Sequence, residues 1–341
     1  MSLREHKVVI GYWPTVGLVW LAIIYALVIG PPAAAADGTQ LGGLTVANWG
    51  YQLQNDDPAA IANSPYDVVV IDYSRDGSAA GAFSADDLAA MKKKPDGSRR
   101  IVLAYISIGE AEDYRYYWDE RGWKRRANRS GVVDDENGEW KHNYSVRYWL
   151  PEWQDLIVND DDSYMNRILQ AGFDGVYLDK IDVCQAYEGR TPDGTVASDL
   201  MIQFVRKISA VMKSRKSDFL IVAQNAEFLL ADDDYRAALD GIGEEDILFH
   251  EQQTAGGSFR DGVANDDDTI TQTTAQLAKL KVDGKAVLAV EYLSDTDTIA
   301  AAAERLQNNG YLVYVGPRSL ARLAPPVAVQ VAGNGDEGGD P

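Results

Sequence analysis

Side chains able to hold or move a proton stand where six apolar runs of this chain stop. Asp72 closes Val68-Val-Val-Ile71, Asp179 closes Val176-Tyr-Leu178, and Glu291 closes Ala286-Val-Leu-Ala-Val290, while Glu110, Asn225 and Glu245 end or follow three further runs. A short, continuously apolar run bounded by turn signals reads as a strand covered on both faces, as in a parallel sheet. In α/β barrels the chemistry is carried at the ends of such strands. A single acid there can simply trim a strand, but five acids and an amide at six strand ends would converge on one mouth. Crowded carboxyls drive their proton affinities apart, so that one stays protonated beside an ionised neighbour. Cleaving a glycosidic bond needs such a pair: one carboxyl protonates the leaving oxygen, and the other attacks the anomeric carbon or activates water.

Other chemistries lack their residues. Cys184 is the only cysteine, and the three histidines, His6, His142 and His250, lie in no Cys-His or zinc spacing. No phosphate-binding glycine loop or EF-hand motif occurs. The expectation is an enzyme without metal or cofactor and without an intrachain disulfide.

A long interruption from residue 111 to 162 separates the third apolar run from the fourth. Between Tyr114 and Trp153 it carries ten Tyr or Trp residues, five of the chain's eight tryptophans among them. Aromatic faces offer large apolar area with polar edges, on which sugar rings stack. About half of these aromatics are expected to pack on one another as a small subdomain, and Trp149 and Trp153, at the end of the loop, to line a groove.

The elements that would position these groups follow in a regular alternation. Apolar runs end near Trp49, Asp72, Ser107, Asp179, Asn225, Gly243, Glu291 and Val315, with helical patterns between them, such as the one that starts at the Ser84 cap and its Asp87 partner. Eight such units in about 280 residues without a linker favour an α/β fold of one domain, a closed (β/α)8 TIM barrel over residues 37–325. Residues 326–341, rich in Gly, Asn, Asp and Glu, read as a disordered tail. Arg4 and Lys7, the apolar run from Val16 to Ile29 and Ala33-Ala-Ala-Ala36 form the pattern of a secretory signal over residues 1–36. The run is shorter than the roughly 20 residues that span a bilayer. The expectation is therefore export to the cell envelope or beyond, with no stable membrane insertion after cleavage. The full chain has a formal charge of −20; removing Arg4, Lys7 and Glu5 leaves 30 basic and 51 acidic residues, a charge of −21. Such a surface repels nucleic acid and suits a neutral or cationic partner.

Taken in order, Trp49-Gly-Tyr-Gln-Leu-Gln54, Tyr105-Ile-Ser-Ile-Gly-Glu110, Trp149-Leu-Pro-Glu-Trp153, Gly172-Phe-Asp-Gly-Val-Tyr-Leu-Asp179 and Asp240-Gly-Ile-Gly-Glu-Glu-Asp246 resemble glycoside hydrolase family 114 over roughly Leu41 to Leu323. That resemblance implies a TIM-barrel hydrolase similar to endo-α-1,4-polygalactosaminidases and to the hydrolase domain of the Pel polysaccharide deacetylase–hydrolase. It implies a catalytic aspartate after the fourth strand, matched by Asp179, and a catalytic glutamate after the sixth. Glu244 and Glu245 both stand there; counting forward from Asp240-Gly241 favours Glu245. The expected reaction is retaining hydrolysis of an α-linked galactosaminoglycan or related exopolysaccharide by a monomer, with Asp179 as nucleophile and Glu245 as acid/base. Substrate contacts are expected from Trp49, Tyr51, Asp72, Tyr105, Glu110, Trp149, Trp153, Asn225, Glu291 and Tyr292. The alternatives are an α-glycosidase of another substrate and a barrel that binds carbohydrate without cleaving it.

Overall fold

The computed structural model describes residues 38–328 apart from Ser130, Glu139 and residues 254–258. The expected signal at 1–36 and the tail from residue 329 onward lie outside the described residues.

Eight parallel strands form one sheet in sequence order: β1 (Trp49–Tyr51), β2 (Val68–Asp72), β3 (Ile101–Ser107), β4 (Gly175–Asp179), β5 (Leu220–Gln224), β6 (Gly241–Glu245), β7 (Ala286–Glu291) and β8 (Leu312–Val315). Seven crossover helices join them: α1 (Pro58–Ala62), α2 (Ala85–Met91), α3 (Tyr164–Ala171), α4 (Ala197–Arg215), α5 (Asp233–Ala238), α6 (Asp267–Val282) and α7 (Thr296–Asn308). The sheet is nearly closed. At its seam the Trp49 indole Nε1 donates to the Leu312 carbonyl across 3.1 Å, and Leu53 N donates to the Leu320 carbonyl at 2.9 Å. The strands are apolar because both faces are covered, by helices outside and by side chains from other strands inside.

Local chemistry sets the helix limits. Ser84 and Asp87 exchange the two hydrogen bonds of a capping box at the start of α2. Asp266 and Asp295 cap α6 and α7 through the amides of Thr269 and Thr298. Gly172, at a φ of 104°, stops α3 and turns the chain into β4.

Three features depart from the sequence reading. Leu44–Val46, in the run expected to form the first barrel strand and to end near Trp49, pairs antiparallel with Thr39–Leu41. The reason is Gly42-Gly43, whose φ values of 56° and 73° make the two-residue turn that suits a tight hairpin. A Cβ on Gly42 would lie 3.1 Å from Leu220 and 3.3 Å from Ile101, the first residues of β5 and β3, so this hairpin packs under the barrel at the end opposite the strand C-termini. Second, β6 runs two residues beyond Gly243 and is followed by an antiparallel ribbon, Phe249–Gln253 with Phe259–Ala264. Third, no helix follows β8 among the described residues; the chain folds back over the seam, where Tyr66 donates to the Ala324 carbonyl at 2.6 Å.

Candidate active site

Residues paired side by side in a parallel sheet point to the same face, and faces alternate along each strand. Trp49 and Tyr51 point inward, because their rings meet Tyr177 at 6.1 and 5.3 Å and Tyr314 lies 5.8 Å from Trp49. The register carries this face round the barrel: Tyr51 pairs with Val70, Asp72 with Tyr105, Tyr105 with Tyr177, Ser107 with Asp179, Gln224 with Gly243, and Glu245 with Val290. Asp72, Tyr105, Asp179 and Glu245 therefore all face the interior at the C-terminal mouth. Tyr292 follows two residues after Val290 on the same side. Gly243 faces inward because Tyr177 fills its space: a Cβ there would sit 1.8 Å from the Tyr177 hydroxyl.

This parity separates the two glutamates. Glu245 shares the inner face, where Tyr292 donates to its Oε1 and Asn225 Nδ2 donates to its Oε2 at 3.0 Å. Asn225 returns the contact, its Oδ1 accepting from Glu245 N at 3.0 Å; its positive φ of 56° turns the chain at the end of β5 to allow this. Glu244 points the other way, is buried, and has an Oε2 without a hydrogen-bond partner. Burial first, then the charges of Glu227 and Glu245, push its pKa well above the carboxylate range.

Asp179 is half-buried. Tyr105 donates to its Oδ2 and the Lys180 backbone N to its Oδ1, each at 2.6 Å. Burial pushes its pKa from 3.8 to about 7, and Glu245 and Asp182 push in the same direction, while the Lys180 ammonium and the Tyr105 hydroxyl oppose them. Asp179 and Glu245 thus interact as a pair. Burial alone would lower the pKa of Lys180, but the surrounding carboxylates of Asp182, Glu110, Asp179 and Glu245 hold it raised. Its Nζ lies 3.7 Å from Glu110 Oε1.

The other expected contacts divide. Asp72 accepts Arg115 Nη1 at 2.6 Å beside the mouth. Tyr51 donates to Gln224 Oε1 at 3.2 Å in the floor of the site, and Trp49 is sealed below it. Glu110 is 2% exposed, its Oε1 accepting from Asn137 at 2.8 Å. Glu291 must be corrected. It faces outward from β7, is wholly buried, and accepts the amides of Leu248 at 2.7 Å and Phe249 at 3.3 Å, which anchors the turn after β6. Trp153 must be corrected too. Its ring has no exposed area, stacks on Trp123 with centroids 6.2 Å apart and donates to the Ile108 carbonyl at 2.8 Å, so it belongs to the core of the aromatic loop. Trp149 is half-buried and packs edge-on against Tyr148 and Tyr187.

Two arginines escaped the sequence reading because they lie in loops without periodic pattern. Arg115 is clasped by Asp72 and Glu112 with its side chain fully buried. Arg318, after β8, grips both oxygens of Asp246 at 3.0 Å and Asp261 at 2.5 Å, and its guanidinium lies 4.1 Å from the centre of the Tyr292 ring. It therefore braces both the residue next to Glu245 and the tyrosine that donates to Glu245.

Comparison with known proteins bears on this arrangement. The family model for glycoside-hydrolase family GH114 matches residues 30–331. An uncharacterised protein of Methanocaldococcus jannaschii is 37% identical over 279 residues, covering 78% of this chain and 74% of that protein. One from Thermotoga maritima is 32% identical over 286 residues, covering 80% and 81%. Among solved structures, the glycoside hydrolase domain of PelA from Pseudomonas aeruginosa superposes with a TM-score of 0.61 at 18% identity, covering 83% of this chain and all of that one.

Proposed function

The chain belongs to glycoside hydrolase family GH114, and from that premise we propose that it is an exported, monomeric enzyme that cleaves an α-linked galactosaminoglycan with retention of configuration, using Asp179 as nucleophile and Glu245 as acid/base. The observation that carries this reading is the pair of inward carboxyls at the ends of β4 and β6, each held by its own tyrosine. In the first step, which requires Asp179 ionised (it gives up its proton near pH 7) and Glu245 protonated, an Asp179 carboxylate oxygen attacks the anomeric carbon while the Glu245 carboxyl gives its proton to the departing glycosidic oxygen. In the second, the Glu245 carboxylate takes a proton from water, whose oxygen displaces Asp179 from the same carbon. Donors from Tyr105 and the Lys180 amide stabilise the Asp179 anion as it is released. The Tyr292 and Asn225 contacts fix the Glu245 carboxyl so that little reorganisation precedes proton transfer. The net charge of −20 supports a polycationic substrate, which an acidic protein attracts.

The test is to incubate the purified protein with deacetylated and acetylated galactosaminoglycan and measure new reducing ends, with Asp179→Asn alongside. The expected result is cleavage of the deacetylated polymer by the unaltered protein alone. Equal cleavage by Asp179→Asn would remove Asp179 from the mechanism, and no cleavage of either polymer would remove the substrate assignment.

A further inference from the structure

Tyr114 is placed the wrong way round for a structural tyrosine. Tyrosine ordinarily buries its ring and leaves its hydroxyl wet. Here the hydroxyl donates inward to Glu112 Oε1, a residue only 2% exposed, while Tyr114 itself remains 46% exposed. With its hydroxyl turned inward, the side chain is left to present its apolar ring outward. The ring is also fixed. The Arg115 guanidinium lies 5.0 Å from its centre. On another side it meets Gly77, at a φ of 80°, so closely that a Cβ there would lie 2.7 Å from Tyr114 Cδ2. Three anchors hold this apolar surface at a fixed position in water, where covering it would be favourable.

The position of the ring says what covers it. Arg115, which lies against Tyr114, binds Asp72 at the end of β2. Asp72 pairs in register with Tyr105, whose hydroxyl donates to Asp179. Tyr114 is thus linked to Asp179 through Arg115, Asp72 and Tyr105, and stands outside the reacting centre on the β2–β3 side of the mouth. We propose that Tyr114 is the platform of a separate sugar subsite, stacking the apolar C–H face of a pyranose ring one or more units from the bond that is cleaved. The proposal rests on the polysaccharide-hydrolase reading above and adds a binding residue and a chain-length preference to it. The Glu112 contact keeps the ring from turning and the Gly77 contact keeps it from sinking, so the face is preorganised and little side-chain freedom is lost when the sugar arrives.

The experiment is calorimetric titration of the full chain carrying Asp179→Asn, which stops turnover, with an α-1,4-linked galactosamine hexasaccharide and disaccharide. Tyr114→Ala should weaken hexasaccharide binding about tenfold, roughly 1.4 kcal/mol, and leave disaccharide binding unchanged. Tyr114→Phe, which keeps the ring, should retain most of the hexasaccharide affinity. Thermal unfolding of each variant checks that the fold persists. Undiminished hexasaccharide binding by Tyr114→Ala would overturn the subsite alone, and so would an equal loss for both sugars in a folded variant. Failure of the Tyr114 parent to bind either sugar would overturn the subsite together with the substrate assignment.

Discussion

Replacing Asp179 with Asn should stop turnover and at the same time stabilise the fold. The Asp179 carboxyl holds its proton to about pH 7, against 3.8 for an ordinary aspartate, mainly because it is buried and next because Glu245 and Asp182 surround it. The folded protein therefore binds this proton more tightly than the unfolded chain. The contribution of Asp179 to stability is at its best below about pH 4, falls as pH rises from about 4 to 7, and stays low above that. At about 1.4 kcal/mol per tenfold change in proton affinity, the ionised carboxylate costs up to about 4 kcal/mol. Lys180 and Tyr105 already offset part of the burial cost within that figure. Asn has the same shape and no charge, so the cost disappears. Melting curves of the two proteins at pH 5, 7 and 9 should show a small gain for Asp179→Asn at pH 5 that grows to several degrees at pH 9. A difference independent of pH, or a variant less stable at pH 9, would refute the electrostatic reasoning.

The remaining predictions concern neighbouring side chains. Glu245→Gln should lose on the order of a hundredfold or more in kcat on the polymer, with a much smaller loss on an aryl glycoside whose leaving group needs no proton; equal losses on both would contradict its role as acid. Glu244→Gln should leave turnover essentially unchanged, since its carboxyl lies on the opposite face of β6; loss of activity in a folded Glu244→Gln would show that the parity argument is wrong. Arg318→Ala should lower kcat on the order of tenfold to a hundredfold with little change in KM, because Tyr292 and Asp246 both lose their brace. An unchanged kcat would mean that Tyr292 holds Glu245 unaided.

How far these positions could be read from the chain depended on the kind of strand that carried them. Runs such as Val68–Ile71 and Ala286–Val290 announce strands buried on both faces, and eight of them in alternation with helices announce the barrel. The same property hides which way each residue points. Where both faces are apolar, no polar alternation marks the inner one, so Glu291 read as equal to Asp179 although it faces away from the barrel interior, onto the turn after β6. In β6 the inner face is marked by glycines at 241 and 243, but their meaning depends on Tyr177 reaching across from β4, a contact between distant residues. Trp153 read as a groove residue because aromatic content says nothing of packing order within a loop. The hairpin of residues 39–46 was legible in principle, since Gly42-Gly43 between Thr39-Gln-Leu41 and the β-prone Leu44-Thr-Val46 is a turn signal.

Retaining cleavage of an α-linked galactosaminoglycan by Asp179 and Glu245, as proposed here, leaves a stereochemical record in its first products. Proton NMR of that polymer, followed from the first minutes after addition of the full-length protein, tests it most directly. New reducing ends should appear first as the α-anomer and only later equilibrate to the β-form. Reducing ends that appear first as β, or none at all, would contradict it.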